Sequence, residues 1–208
     1  MQRLKVAAGW LVAVSLIFWL SIDWIAALIV GIGPTARVQP PGPPLLDKRA
    51  VYQSASANGM YLDLMKLALT GLLYEGDTKI RERRLEGQDW PAHGYTMIGL
   101  KRLDNLQVLT EEVIRKGIPG DLIEAGAWKG GATIFMRAIL KAHDVKDRKV
   151  WVADSFEGVP PPNDTVYPAD AGNKLYEQDE LAVSVDRVQT NFRMFGLLDD
   201  QVRFLKGW

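Results

Sequence analysis

The sequence has no cysteine, which excludes a disulfide framework, thiolate metal sites and cysteine nucleophiles, and fits a reducing compartment. It also lacks an excess of either charge. Its 25 basic residues balance 25 acidic ones, so neither a nucleic-acid surface nor an acidic tail is indicated. Histidine is scarce, with only His93 and His143, and imidazole acid–base chemistry has few options. His143 falls at the end of a predicted helix, where it can partner the terminal carbonyls. His93 lies in a break before a core helix with no orienting acid beside it in sequence, which favours a structural role over substrate contact. No internal repeat is present, and only a proline tract is of low complexity.

What the chain does have is apolar substance. With 48% hydrophobic residues over 208 positions, it can bury one sizeable core and carry an appendage. From Val6 to Ile32 the sequence is nearly all apolar, broken by Ser15, Ser21 and Asp23, and exceeds the roughly 20 residues a membrane-crossing helix needs. The expectation is a single anchoring helix rather than a cleaved secretory signal, whose apolar region runs to only about 7–15 residues. Asp23 opposes a full span, since a carboxylate at mid-membrane costs about 3 kcal/mol. Arg3 and Lys5 before the segment and Arg37, Lys48 and Arg49 after it cancel as orientation signals. The run Gln39-Pro40-Pro41-Gly42-Pro43-Pro44 reads as an extended spacer. The expected layout is an anchor over 1–36, a linker over 37–57, a helical region over 58–118 and a nucleotide-binding domain over 119–208. A functional start near Met60, giving a cytoplasmic protein, is the alternative.

Beyond the linker, Leu62, Met65, Leu69, Leu72 and Leu73 recur at helical spacing over Tyr61 to Tyr74. The charged run Lys79 to Glu86 reads as a solvated helix face. After the break at Asp89-Trp90-Pro91-Ala92-His93, Met97, Leu100, Leu103, Leu106 and Leu109 predict an inward-facing helix that stops at Gly117 and Pro119. Leu122 to Ala125 is a short apolar strand, Ala132 to His143 a helix and Lys149 to Ala153 the next strand, making a parallel βαβ unit. Glu157 to Tyr176, with four prolines and two glycines, is a long irregular segment of the kind that forms lids or binding loops. Asp179 to Phe195 is helical, and Gln201 to Leu205 is a third strand.

The chemistry concentrates at the ends of the first two strands. Gly126, Gly130 and Gly131 form a turn where backbone can approach a ligand, without the spacing of a strict dinucleotide fingerprint. That weakens the case for NAD and leaves room for S-adenosylmethionine, which has no pyrophosphate to seat on a helix end. Glu124, ending the first strand, can organise the amino group of the methionine moiety; a structural ion pair is the alternative. Asp154 follows Gly131 by 23 positions, close to the spacing of about 20 at which an acid meets ribose hydroxyls. A turn-capping aspartate is the alternative there. Gly207 and Trp208, just after the third strand, stand where adenine packs in such folds.

The segments HGYTMIGLKRLDNLQ, GDLIEAGAWKGGATIFMRAILKAHDVKDRKVWVADSFEGVP, YPADAG and FGLLDDQVRFLKGW together resemble the macrocin O-methyltransferase family over residues 60–208. The resemblance implies an α/β, Rossmann-like, S-adenosylmethionine-dependent domain preceded by helices, which methylates a sugar hydroxyl of a natural product or glycoconjugate and associates as a homo-oligomer. It implies that Glu124, Gly126, Ala127, Trp128 and Gly130 contact the methionine side of the donor and Asp154 and Ser155 its ribose. Trp90 and Met97 match acceptor-side positions, with Tyr95 replacing a histidine common in the family, and His93 and Phe156 are further candidates for substrate contact. Magnesium is implied too, but its ligands and the catalytic carboxylate lie in relatives on a strand and an Asp-Asp pair beyond FLKGW. No residue here is assigned to metal or catalysis, and the sequence reads as a carboxy-terminally shortened member with an incomplete sheet, its first strand an open edge, binding the donor weakly on its own. The other readings are an NAD-dependent oxidoreductase and a non-catalytic, membrane-anchored remnant. Because the donor is a cytosolic metabolite, the domain is expected on the cytoplasmic side of the membrane.

Overall fold

The computed structural model describes Val12–Ala13 and residues 56–208. Its centre is a parallel sheet in the order β1-β2-β3-β4, with β2 at Leu122–Ala125, β3 at Val150–Asp154 and β4 at Val202–Lys206. Helices α4 (Gly131–Ala142) and α5 (Val185–Met194) make the two crossovers. Parallel neighbours cannot be joined by a tight turn, so each apolar strand is followed by a helix-length return. The first element, β1 at Val12–Ala13, pairs parallel with Leu122 and Ile123.

Those two residues lie inside the segment read as a membrane helix. They are extended, and they occupy part of the edge of β2 that was expected to lie open. The rest of the expected anchor and the proline-rich linker fall outside the described residues. Among the described residues, no helix is long and apolar enough to cross a membrane.

Helix α4 is the axis of the core, with every residue from Gly131 to Leu140 buried. A helix buried all round needs covering on both sides. The sheet lies against one side, and α1 (Ala57–Thr70) and α3 (Gly99–Arg115) pack on the other. Ile134, Phe135, Met136, Ile139 and Leu140 have no exposed surface, and each such burial contributes about 1.5–3 kcal/mol before entropy is set against it. The predicted helical faces hold for Leu62, Met65, Leu69, Leu100, Leu103 and Leu106, all buried. Leu73 and Leu109 are instead exposed. Leu73 follows the end of α1 at Gly71, whose left-handed φ of 73° stops the helix.

The charged run also departs from expectation. It forms α2 (Thr78–Leu85), but Arg84 is buried because Nε and Nη2 both donate to Asp89 Oδ2, at 3.0 and 2.8 Å. Glu75 stands 3.4 Å away. The predicted helix over Asp179 to Phe195 is in fact a 3-10 turn at Asp179–Leu181 followed by α5, which starts after the Ser184 cap. Gly131 fixes how the helical region meets the sheet. Its N–H donates to Tyr95 O at 2.9 Å, and a Cβ there would run into the same carbonyl. Gly131→Ala is expected to lose about 3 kcal/mol of stability, read as a lower urea midpoint with an unchanged slope.

Candidate functional site

Two loops at the carboxyl ends of β2 and β3 build the site, where ligands bind in open parallel sheets. After β2 the chain turns at Gly126, whose N–H donates to Ala153 O at 2.8 Å. Its φ is +83°, and the space where a Cβ would stand is empty. Gly130 and Gly131 serve packing instead, because a Cβ at Gly130 would press on Val188 and one at Gly131 on Tyr95. Only Gly126 leaves room for a ligand beside the backbone. Trp128 (φ 50°) and Phe156 (φ 57°) are non-glycine residues in the left-handed region, one in each loop. Strain of that kind persists where surrounding bonds over-determine it.

Asp154 supplies those bonds. Its Oδ2 accepts from the N–H groups of Ala127 at 2.7 Å and Trp128 at 3.1 Å, while Oδ1 accepts from Phe156 N–H at 2.8 Å, with Ser155 Oγ 3.4 Å away. One carboxylate thus ties both loops together. Each oxygen already has a backbone donor, so ribose hydroxyls reaching Asp154 share it with the backbone.

Glu124 behaves differently. It is buried, and its Oε2 has no hydrogen-bond partner among the described residues. Burial pushes its carboxyl up to about 8; the Thr133 backbone N–H pulls the other way, and the Asp154 charge adds to the rise. A buried carboxyl held mostly neutral near the end of a strand is poised to ionise when a cation reaches it.

The other predicted residues separate into those at the site and those in the framework. Ala127 is buried in the turn, and Trp128 Nε1 donates to Glu180 O at 2.7 Å, tying the 3-10 turn at Asp179–Leu181 to the glycine turn. Ser155 Oγ donates to Gly158 O at 3.0 Å and accepts from Glu157 N–H at 3.1 Å. Gly207 N–H donates to Asp154 O at 3.0 Å, while Trp208 is 76% exposed. On the acceptor side, Met97 and Phe156 are buried in the core, and Trp90 is half exposed. His93 and Tyr95 line a cleft of about 520 Å³ against α5. His143 caps α4, its Nε2 lying 3.1 Å from Glu111 Oε1.

The cleft holds three residues that sequence reasoning missed: Lys129, Arg187 and Asn191. Signals for them existed. Arg187 and Asn191 stand four apart on α5 and so share a face, and Lys129 is a cation in the middle of the glycine turn. Among the described residues no group of three or more His, Cys, Asp or Glu side chains could hold a metal ion. The described residues do not fit a magnesium site.

The family description macrocin-O-methyltransferase (TylF) matches residues 73–208. The demethyldecarbamoylnovobiocin O-methyltransferase of Streptomyces niveus is 49% identical over 168 residues, covering 75% of this chain and 64% of the relative. The mycinamicin III 3''-O-methyltransferase of Micromonospora griseorubida is 48% identical over 162 residues, covering 72% and 64%. Among solved structures, that of the O-methyltransferase NovP superposes with a TM-score of 0.69 at 51% identity, covering 73% of this chain and 64% of that one. The chain therefore spans about 64% of the length of these curated relatives.

Proposed function

The chain belongs to the macrocin O-methyltransferase family, and from that premise we propose that its two strand-end loops hold S-adenosylmethionine for methyl transfer to a hydroxyl of a sugar-bearing natural product. The observation that carries this reading is the buried Glu124 carboxyl, whose Oε2 has no partner among the described residues, two positions before the open backbone at Gly126. Glu124 pairs with the ammonium of the methionine moiety, Gly126 lets that moiety lie against the backbone, and Asp154 orients the ribose while keeping both loops in place. The bound donor supplies an electrophilic methyl on a sulfonium. The chain's own residues contribute position, holding the methyl for in-line attack by the acceptor hydroxyl, and positioning of that kind is worth up to about 7–11 kcal/mol of a barrier.

An NAD-dependent oxidoreductase shares the strand-end acid, but the turn disfavours it. A dinucleotide needs glycine space at the helix start for its pyrophosphate, and here Gly130 and Gly131 are closed off by Val188 and Tyr95. Isothermal titration separates the two. Saturable heat is expected with S-adenosylmethionine and none with NAD; saturation by NAD alone would overturn the proposal. Availability of the donor places the domain in the cytoplasm.

A further inference from the structure

The cleft lined by His93 and Tyr95 has an uncompensated charge. Lys129 and Arg187 both line it, no acidic residue does, and neither cation has an ion pair within 4.0 Å among the described residues. Lys129 Nζ has only Gly94 O at 3.4 Å and the face of the Trp128 ring, 4.2 Å from its centroid. Burial, and then the neighbouring Arg187 charge, hold this ammonium below the usual lysine range. Two like charges facing one space lower each other's stability unless something negative enters.

The walls describe the rest of the occupant. Tyr74 meets His93 edge-on at 6.3 Å, and Tyr95 meets Phe195 edge-on at 5.0 Å, and all four rings line the cleft together with the two cations. Asn191, which is 1% exposed, donates from Nδ2 to Lys129 O at 2.9 Å, fixing the lysine's backbone to α5, while its Oδ1 has no partner. Aromatic walls with a few placed polar groups are the usual make-up of a small-molecule site.

We propose that this cleft binds an aromatic carboxylate, with Lys129 and Arg187 pairing with the acid and the aromatic walls holding the ring. That the bound molecule is the methyl acceptor rests on the reading above; that the cleft binds it does not. Titration of the full chain with 4-hydroxybenzoate, followed by calorimetry and by the amide signals of Lys129, Arg187 and Asn191, tests the proposal, with 4-hydroxybenzamide and inorganic phosphate as comparison ligands. Saturable binding of the acid is expected, with the neutral amide and phosphate each at least about tenfold weaker and Lys129→Met and Arg187→Gln each weakening the acid about tenfold. Lys129→Arg keeps the charge and should restore most of the affinity. Equal binding of acid and amide, phosphate binding as tight as the acid, or unchanged affinity in both variants with native melting curves would overturn it. Titration with S-adenosylmethionine reports separately on the methyl-donor reading.

Discussion

Replacing Asp154 by alanine is expected to destabilise the protein by about 3–5 kcal/mol and to abolish measurable binding of S-adenosylmethionine. The substitution removes an acceptor from three backbone donors at once: the N–H groups of Ala127, Trp128 and Phe156. A hydrogen bond to a charged group contributes about 1.5–3 kcal/mol, and a buried donor left unpaired costs about 1–3. These donors lie on strained backbone, since Trp128 and Phe156 have positive φ at a cost of about 1–2 kcal/mol each, so both loops should relax once the carboxylate is gone. Asp154→Asn should fall between, because one oxygen still accepts on one side while the amide NH2 faces N–H donors on the other. Urea unfolding gives the energies, and hydrogen exchange at the Ala127 and Trp128 amides locates the loss. A variant within 1 kcal/mol of wild type, with those amides still protected, would show that the carboxylate does not hold the turns.

That role explains what the sequence could and could not reveal. Strand β2 was legible to the residue, and β3 and β4 to within one, since short apolar runs bounded by glycine and charge have few other ways to bury themselves. The acids were legible because they end those strands. Their partners were not: Asp154 bonds to residues 26 and 27 positions away, a distance only the fold closes. Gly130 and Gly131 look like ligand glycines in sequence and are packing glycines in space, because Val188 and Tyr95 arrive from other elements. Arg84 misled for a like reason, as a run of charges does not show that one member turns inward to meet Asp89. At α5 the apolar spacing of Leu181, Val185, Val188 and Phe192 runs on through a break in the backbone, so periodicity alone overran the start of the helix by six residues. Lys129 and Arg187 were passed over because each looks like a solvated cation until the fold sets them in one cleft.

Glu124→Gln is expected to make the protein more stable and a poorer binder, with both effects growing as pH rises. In the folded state the carboxyl titrates at about 8, whereas in the unfolded chain it titrates near the ordinary value of about 4.3. Between those values the unfolded state binds fewer protons than the folded one, so wild-type stability falls with rising pH by up to about 1.4 kcal/mol per unit from this group, and the fall ends above pH 8. Glutamine keeps the shape and cannot ionise. The difference in unfolding free energy between variant and wild type should therefore be small below pH 4.5, widen through the neutral range and level off above 8. Donor binding should run the opposite way. At pH 7 the empty site is about nine-tenths protonated, and pairing with the donor's ammonium requires that proton to leave, so wild-type affinity should rise up to pH 8 with buffer-dependent heats that report the release. The variant should bind about 10- to 100-fold more weakly at pH 8.5, without that pH dependence or proton release. A variant that tracks wild type in both stability and affinity from pH 5 to 9 would mean that Glu124 is ionised and internally paired, and the donor's ammonium would need another partner.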